Sequence, residues 1–184
     1  ISIVNSGLEQ HERHLALIMV KMQLLLNSQR LQEAKTFFQQ LKDTDFDDNI
    51  RTGIQGRIYL LEKNYPMAIP ALETFYRAFP NSQTIGYLSG ALQADNQALK
   101  ATTLLESYLA ENENKSGNDR VRALLASFYL DGQKEKALTT YELIAKTQPD
   151  NFMINNNLAW LYLQKGQLDI ALSHAEKAYK AAPK

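Results

Sequence analysis

The sequence predicts an all-α stack of helix-turn-helix repeats, and three observations carry that prediction. An alanine returns at Ala34, Ala68, Ala101, Ala137 and Ala171, at intervals of 34, 33, 36 and 34 residues. A fixed period in this range marks a stacked-repeat architecture, in which each unit buries its apolar face on its neighbours. The recurring residue is small because two helices cross closely there, and a larger side chain would push them apart. Around the last alanine, apolar residues recur at helical spacing: Leu158, Leu161, Tyr162 and Leu163, then Leu168, Ala171, Leu172, Ala175 and Ala178. Breakers fall between the helical stretches. Gly166 sits where a first helix ends, and Pro80, Pro149 and Pro183 follow second helices that they cannot continue.

With each alanine set at position 20 of 34, five repeats span about 15–48, 49–81, 82–117, 118–151 and 152–184. The first carries Leu25, Leu31, Phe38 and Leu41 around its alanine. The second carries Gly56, Tyr59, Tyr65, Leu72 and Phe75, ending at Pro80. The third carries Leu88, Ser89, Leu92, Leu105 and Tyr108, and lacks a closing proline. The fourth carries Leu124, Phe128, Gly132 and Tyr141, and the fifth Leu158, Ala159, Tyr162, Gly166 and Ala178. Asn81 and Asp150 are placed to cap the helices that follow them.

Three irregularities stand out. Pro66 fits the first turn of its helix, whereas Pro70 lies a turn later and removes a hydrogen bond, which predicts a kink or a late helix start. In the repeat family that this pattern resembles, named below, a small residue is preferred where Leu125 stands, which predicts a wider separation of the two helices of the fourth repeat. Glu111–Asn118 holds extra residues and reads as an exposed loop longer than its counterparts.

Composition narrows the function. Twenty basic residues balance twenty acidic ones, so the chain lacks the basic field that nucleic-acid binding requires. It has no cysteine, which removes thiol catalysis, disulfides and thiolate metal sites. The longest apolar run, Leu15–Val20, is interrupted by Lys21 and is far shorter than a membrane span. Beginning at Ile1 and ending just after Pro183, the chain reads as a fragment of a longer protein.

Clusters that suggest chemistry have plainer readings. His11 and His14 lack the spacing of a zinc-protease motif, and two ligands do not close a metal site. Asp43–Asp48 has alternating acids, but Asp48 and Ile54 stand where a calcium loop needs glycine and glutamate. This stretch suits the positive start of the next helix instead. No nucleophile elbow, phosphate loop or paired-acid signature is present, so the sequence predicts no enzyme, no metal and no cofactor.

The repeat pattern resembles the tetratricopeptide repeat (TPR) family over about residues 8–184. That resemblance implies a right-handed superhelical solenoid of about five helix-turn-helix units. It also implies that positions 2, 5, 9, 12 and 13 of each repeat face a concave groove. Residue by residue, these are Met19, Gln23, Leu26 and Asn27; Ile50, Arg57, Leu60 and Leu61; Gln83, Gly86, Gly90 and Gln93; Asp119, Arg122, Ala126 and Tyr129; and Met153, Asn156, Trp160 and Gln164. From this lining, Gln23, Asn27, Arg57, Leu61, Gln93, Arg122, Tyr129, Asn156 and Trp160 are the expected partner-binding residues. Arginine and exposed aromatics are the types that anchor interfaces, although Trp160 equally suits packing between adjacent first helices. The groove has no lysine for gripping a terminal carboxylate as the chaperone-tail TPR clamp does. Position 6 reads Val20, Ile54, Tyr87, Ala123 and Asn157, so it forms no asparagine ladder.

The expected function is a non-enzymatic scaffold that binds a protein or peptide in that groove. The alternative is a structural spacer or a solenoid that self-associates through its ends. A narrower similarity, on Asn156–Tyr162 and Ala175–Ala178, is to TPR lipoproteins of PEP-CTERM/exosortase systems in Gram-negative bacteria. It implies a place in the cell envelope and in exopolysaccharide export.

Overall fold

A computed structural model describes residues 4, 15–41, 47–113 and 117–182, and among these it contains ten α-helices and no strand. They are α1 Leu15–Asn27, α2 Leu31–Gln40, α3 Asp48–Leu61, α4 Tyr65–Ala78, α5 Ser82–Ala94, α6 Ala98–Glu111, α7 Asn118–Tyr129, α8 Lys134–Thr147, α9 Phe152–Gln164 and α10 Leu168–Ala181. Odd-numbered helices are the first helices of the repeats and even-numbered ones the second. The chain divides into two compact bodies, residues 1–96 and 97–184. The first holds α1–α5, the second α6–α10. None of the described helices is long and apolar enough to cross a membrane.

The alanine register marks the tightest points of the packing. Ala34, Ala68, Ala101 and Ala137 are fully buried, and Ala171 nearly so. Each donates its N–H to the residue four positions back, namely Arg30, Asn64, Gln97, Gln133 and Gln167. Those residues start the second helices without a side-chain cap.

A second register appears just before it. Gln29, Lys63, Asn96, Gly132 and Gly166, all at position 15, adopt positive φ of 54, 59, 59, 88 and 74°. In repeats 1, 2 and 5 the next residue closes the turn back onto the first helix, Arg30 to Leu25, Asn64 to Tyr59 and Gln167 to Tyr162. The turn is left-handed whether or not glycine occupies it, and a residue with a Cβ is strained there by about 1 kcal/mol. Lys63→Gly is therefore expected to stabilise the protein by up to about 1 kcal/mol, and Gly166→Ala to destabilise it by about as much, in urea unfolding. Equal and opposite shifts would support the strain; no shift at either position would remove it.

First helices begin with side-chain caps. Asp47 accepts from the Asn49 N–H at 2.9 Å, as the acidic stretch suggested, while residues 42–46 lie outside the described residues. Asn81 and Thr84 form a reciprocal capping box. Asn151, rather than Asp150, caps α9, because the helix starts at Phe152 and the capping position is the residue just before it.

At Pro70 the late start is not found. Helix α4 runs from Tyr65 with Pro66 in its first turn and Pro70 inside. Ala68 and Leu72, both fully buried, fix the helix on either side of the proline. The Thr74 hydroxyl donates to the Pro70 carbonyl at 3.0 Å. Leu125 is buried at 5% exposure. Of the Glu111–Asn118 stretch, residues 114–116 lie outside the described residues, and Asn118 is buried rather than exposed. Its side-chain amide donates to the carbonyls of Asn112 and Glu113 and ties the connection to the start of α7.

Glycine decides how closely α3 and α4 approach. A Cβ on Gly53 would lie 2.4 Å from Cγ of Phe75, and one on Gly56 would lie 3.0 Å from the Ala71 Cβ. The core of this body then joins Ile18, Met22, Leu25 and Leu26 of α1 to Ala34 and Phe38 of α2 and Ile54 and Ile58 of α3.

Candidate interaction surface

In the first body, three successive first helices meet in one polar network. Arg57 on α3 donates through Nη2 to Asn27 Oδ1 at 2.8 Å and through Nη1 to Gln23 Oε1 at 3.2 Å, both acceptors on α1. Its guanidinium lies over the Tyr87 ring of α5, with Cζ 4.3 Å from the centroid. Gln23 Nε2 then donates to the Tyr87 hydroxyl at 3.2 Å, and Gln83 Nε2 to the same oxygen at 2.8 Å. Burial pushes the Arg57 pKa down, with the neighbouring Tyr87 opposing it. Among the described residues no carboxylate pairs with this cation. Leu61 and Ile50 are half-buried against the core cluster, where Leu26 is itself a buried member. Gln93 is half-buried, and its Oε1 is enclosed without a hydrogen-bond partner.

In the second body the expected site residues separate into two groups. Arg122 is paired with Asp119 at 3.0 Å on the same helix. Asp119 also accepts from Thr147 and Gln148 at the end of α8, each at 3.0 Å. The Gln148 hydrogen bond does most to hold this carboxyl below its ordinary value, with Thr147 and Arg122 adding to it against burial. Arg122 is thus held by the carboxylate that joins α7 to the end of α8.

Tyr129 was expected to line the groove and is instead buried at 4% exposure, as is Ala126 at 0%. The Tyr129 hydroxyl donates to Glu106 of α6, and Lys136 of α8 lies 5.1 Å over its ring. Burial first, and the carboxylate second, push its phenol pKa up. A side chain gripped from two neighbouring helices serves their packing.

Helix α9 keeps an open face. Met153, Asn156, Trp160, Leu163 and Gln164 are all exposed along one line, while Ile154, Asn155, Leu158 and Leu161 are buried. Trp160 is 41% exposed, with Lys134 Nζ 5.1 Å from its ring. Asn155 is structural: its amide donates to Pro149 and Asn151 carbonyls, and its Oδ1 lies 2.8 Å from His174 Nδ1. His174 stacks on Tyr162, whose hydroxyl donates to Glu142. That hydrogen bond, with burial, pushes the Tyr162 phenol up to about 12. His11 and His14 lie outside the described residues.

Residues 154–184 match the family profile described as a tetratricopeptide repeat. No curated protein matches the chain significantly. Among solved structures, MamA (residues 41 to end) from Desulfovibrio magneticus RS-1 aligns with a TM-score of 0.66 at 18% identity, covering 91% of this chain and 94% of that one. YrrB, described as a TPR protein with an unusual peptide-binding site, aligns with a TM-score of 0.60 at 20% identity, over 98% of this chain and 93% of that one. MamA from MSR-1 gives 0.62 at 20% identity, over 91% and 95%. The chain has the TPR fold.

Within this TPR framework, Tyr87 is the residue that the lining rule passes over. It sits at position 6, yet it forms the aromatic floor beneath Arg57. The one local signal is Gln83 four residues earlier on the same helix face. Its contact with Gln23 spans 64 residues of sequence, which no local pattern reveals.

Proposed function

We propose that this chain is a non-enzymatic protein-interaction scaffold that binds a protein or peptide across its first helices. The observation that carries the reading is the Arg57 network, in which α1, α3 and α5 hold a half-buried cation against an aromatic ring. Holding arginine in place lowers the ordering cost of engaging a partner. The exposed line on α9 centred on Trp160 supplies an apolar and amide surface of the kind that extended segments use. YrrB, of similar fold, is described as having a peptide-binding site. Asn156–Tyr162 and Ala175–Ala178, similar to envelope TPR lipoproteins, support the finer assignment to exopolysaccharide export.

A second reading is self-association. Leu168, Leu172 and Tyr179 on α10 are 63, 61 and 85% exposed. The residue of α8 that corresponds to Leu172, Leu138 at position 21, is buried, and helix α9 packs against α8. The two readings separate in one experiment on the full-length protein. Arg57→Gln with Trp160→Ala is expected to lower capture of the native partner at least tenfold, with the sedimentation mass unchanged. Full capture by that variant, together with assembly altered by Leu172→Glu, would favour the spacer.

A further inference from the structure

Arg57 is a part-buried cation whose hydrogen-bond partners among the described residues are all neutral, while its contacts fix its geometry on three sides. Arg122, by contrast, is neutralised by Asp119, Arg30 by Glu33 and Lys35 by Glu62. Resting on the scaffold reading above, we propose that Arg57 and the Tyr87 hydroxyl together receive an acidic side chain, Asp or Glu, from the bound peptide.

The count of donors supports this ligand. A guanidinium carries five N–H donors. Two of them meet the Gln23 and Asn27 side-chain oxygens. The Gln23 side chain is oriented by its two bonds, accepting from Arg57 with Oε1 and donating to Tyr87 with Nε2. The Tyr87 oxygen accepts from both Gln23 and Gln83. A hydroxyl that receives two donors still has its own proton to give, so Tyr87 presents an O–H beside the remaining Arg57 N–H groups. The groups that Arg57 and Tyr87 leave uncommitted are therefore donors. A carboxylate, which only accepts, is the complementary group, and charge-assisted bonds to it are the strong class.

The donor set borders solvent, since Asn27 and Gln83, bonded to Arg57 and Tyr87, are both exposed. Gly90, three residues beyond Tyr87 on α5, has nothing within 4 Å of where a Cβ would stand. Peptide atoms can approach the α5 backbone there. The site holds one cation, and the lining offers no lysine to grip a chain terminus, which favours an internal side chain.

Peptides selected from a random display library on the purified chain, then synthesised with amidated C-termini, provide the test. The selected peptides are expected to carry an Asp or Glu whose replacement by Asn or Gln weakens binding to the unaltered chain about tenfold. The same replacement should cost less than threefold against Arg57→Gln. Tyr87→Phe, which keeps the ring under Arg57, should fall between them, and circular dichroism establishes that both variants are folded. Peptides that bind equally well in acid and amide forms would overturn the proposal and leave the scaffold reading standing. So would binding that needs only a free terminal carboxylate. Failure to select any binding peptide would overturn both.

Discussion

Ala137→Leu is expected to destabilise the second body by about 3 kcal/mol, at the upper end of what overpacking a filled core costs. Ala137 has no exposed surface, and its N–H is bonded to the Gln133 carbonyl, so the backbone cannot move outward without breaking the first turn of α8. Leucine adds three carbon atoms where Leu138, Tyr141 and Ile144 of the same helix are already buried. Protein interiors are packed to crystal density and have no slack for that volume. A melting-temperature fall of roughly 6–12 °C corresponds to this loss in a chain of this size. Ala175→Leu, on the exposed side of α10, is the control and should change stability by less than about 0.5 kcal/mol. Equal effects at the two positions would remove the packing explanation for the alanine period.

Gly53→Ala is expected to cost about 2 kcal/mol in spite of the higher helix propensity of alanine. The new methyl would overlap Cγ, Cδ1 and Cδ2 of Phe75 at 2.4–2.6 Å, atoms near the root of the ring that cannot swing clear by a small rotation. Propensity alone would make the same substitution stabilising by about 1 kcal/mol. That gain should appear undiminished at Gly90→Ala inside α5, where the new methyl would have no atom within 4 Å. Combining Gly53→Ala with Phe75→Leu should restore part of the lost stability, a non-additivity expected only of residues in contact. Urea unfolding of Gly53→Ala, Phe75→Leu, their combination and Gly90→Ala decides the matter: stabilisation by Gly53→Ala, or strict additivity of the pair, would refute the close approach.

The legibility of the fold follows from what a repeat is. Each helix pair meets the same packing problem, so one small residue recurs and five alanines suffice to assign the register. The turn at position 15 was harder to see. Glycine marks it at 132 and 166, but Gln29, Lys63 and Asn96 hold the same left-handed backbone under strain. Local chemistry also misplaced one cap, since Asp150 and Asn151 are both good capping residues and only the start of α9 chooses between them.

The candidate site was legible in part. Of the residues that position within the repeat selects, Asn156 and Trp160 are exposed on α9, and Gln23, Asn27 and Arg57 meet in one network. It fails for Tyr129 because groove position says nothing about neighbours: Glu106 and Lys136, from two other helices, enclose that ring. It fails for Arg122 because Asp119, also assigned to the lining, satisfies it from one turn away.

By itself the sequence determined an all-α repeat and the recurring small residue that sets its period, because these depend on spacing along one chain. Tertiary structure alone decided which polar residues are engaged in holding helices together and which remain to meet a partner. Arg57 and Arg122 both belong to the lining assigned to their repeats, at positions 9 and 5, yet the first lies over Tyr87 with neutral acceptors and the second is closed by Asp119. Burial, charge pairing and ring contacts are set by residues that are distant in sequence, and a periodicity records none of them.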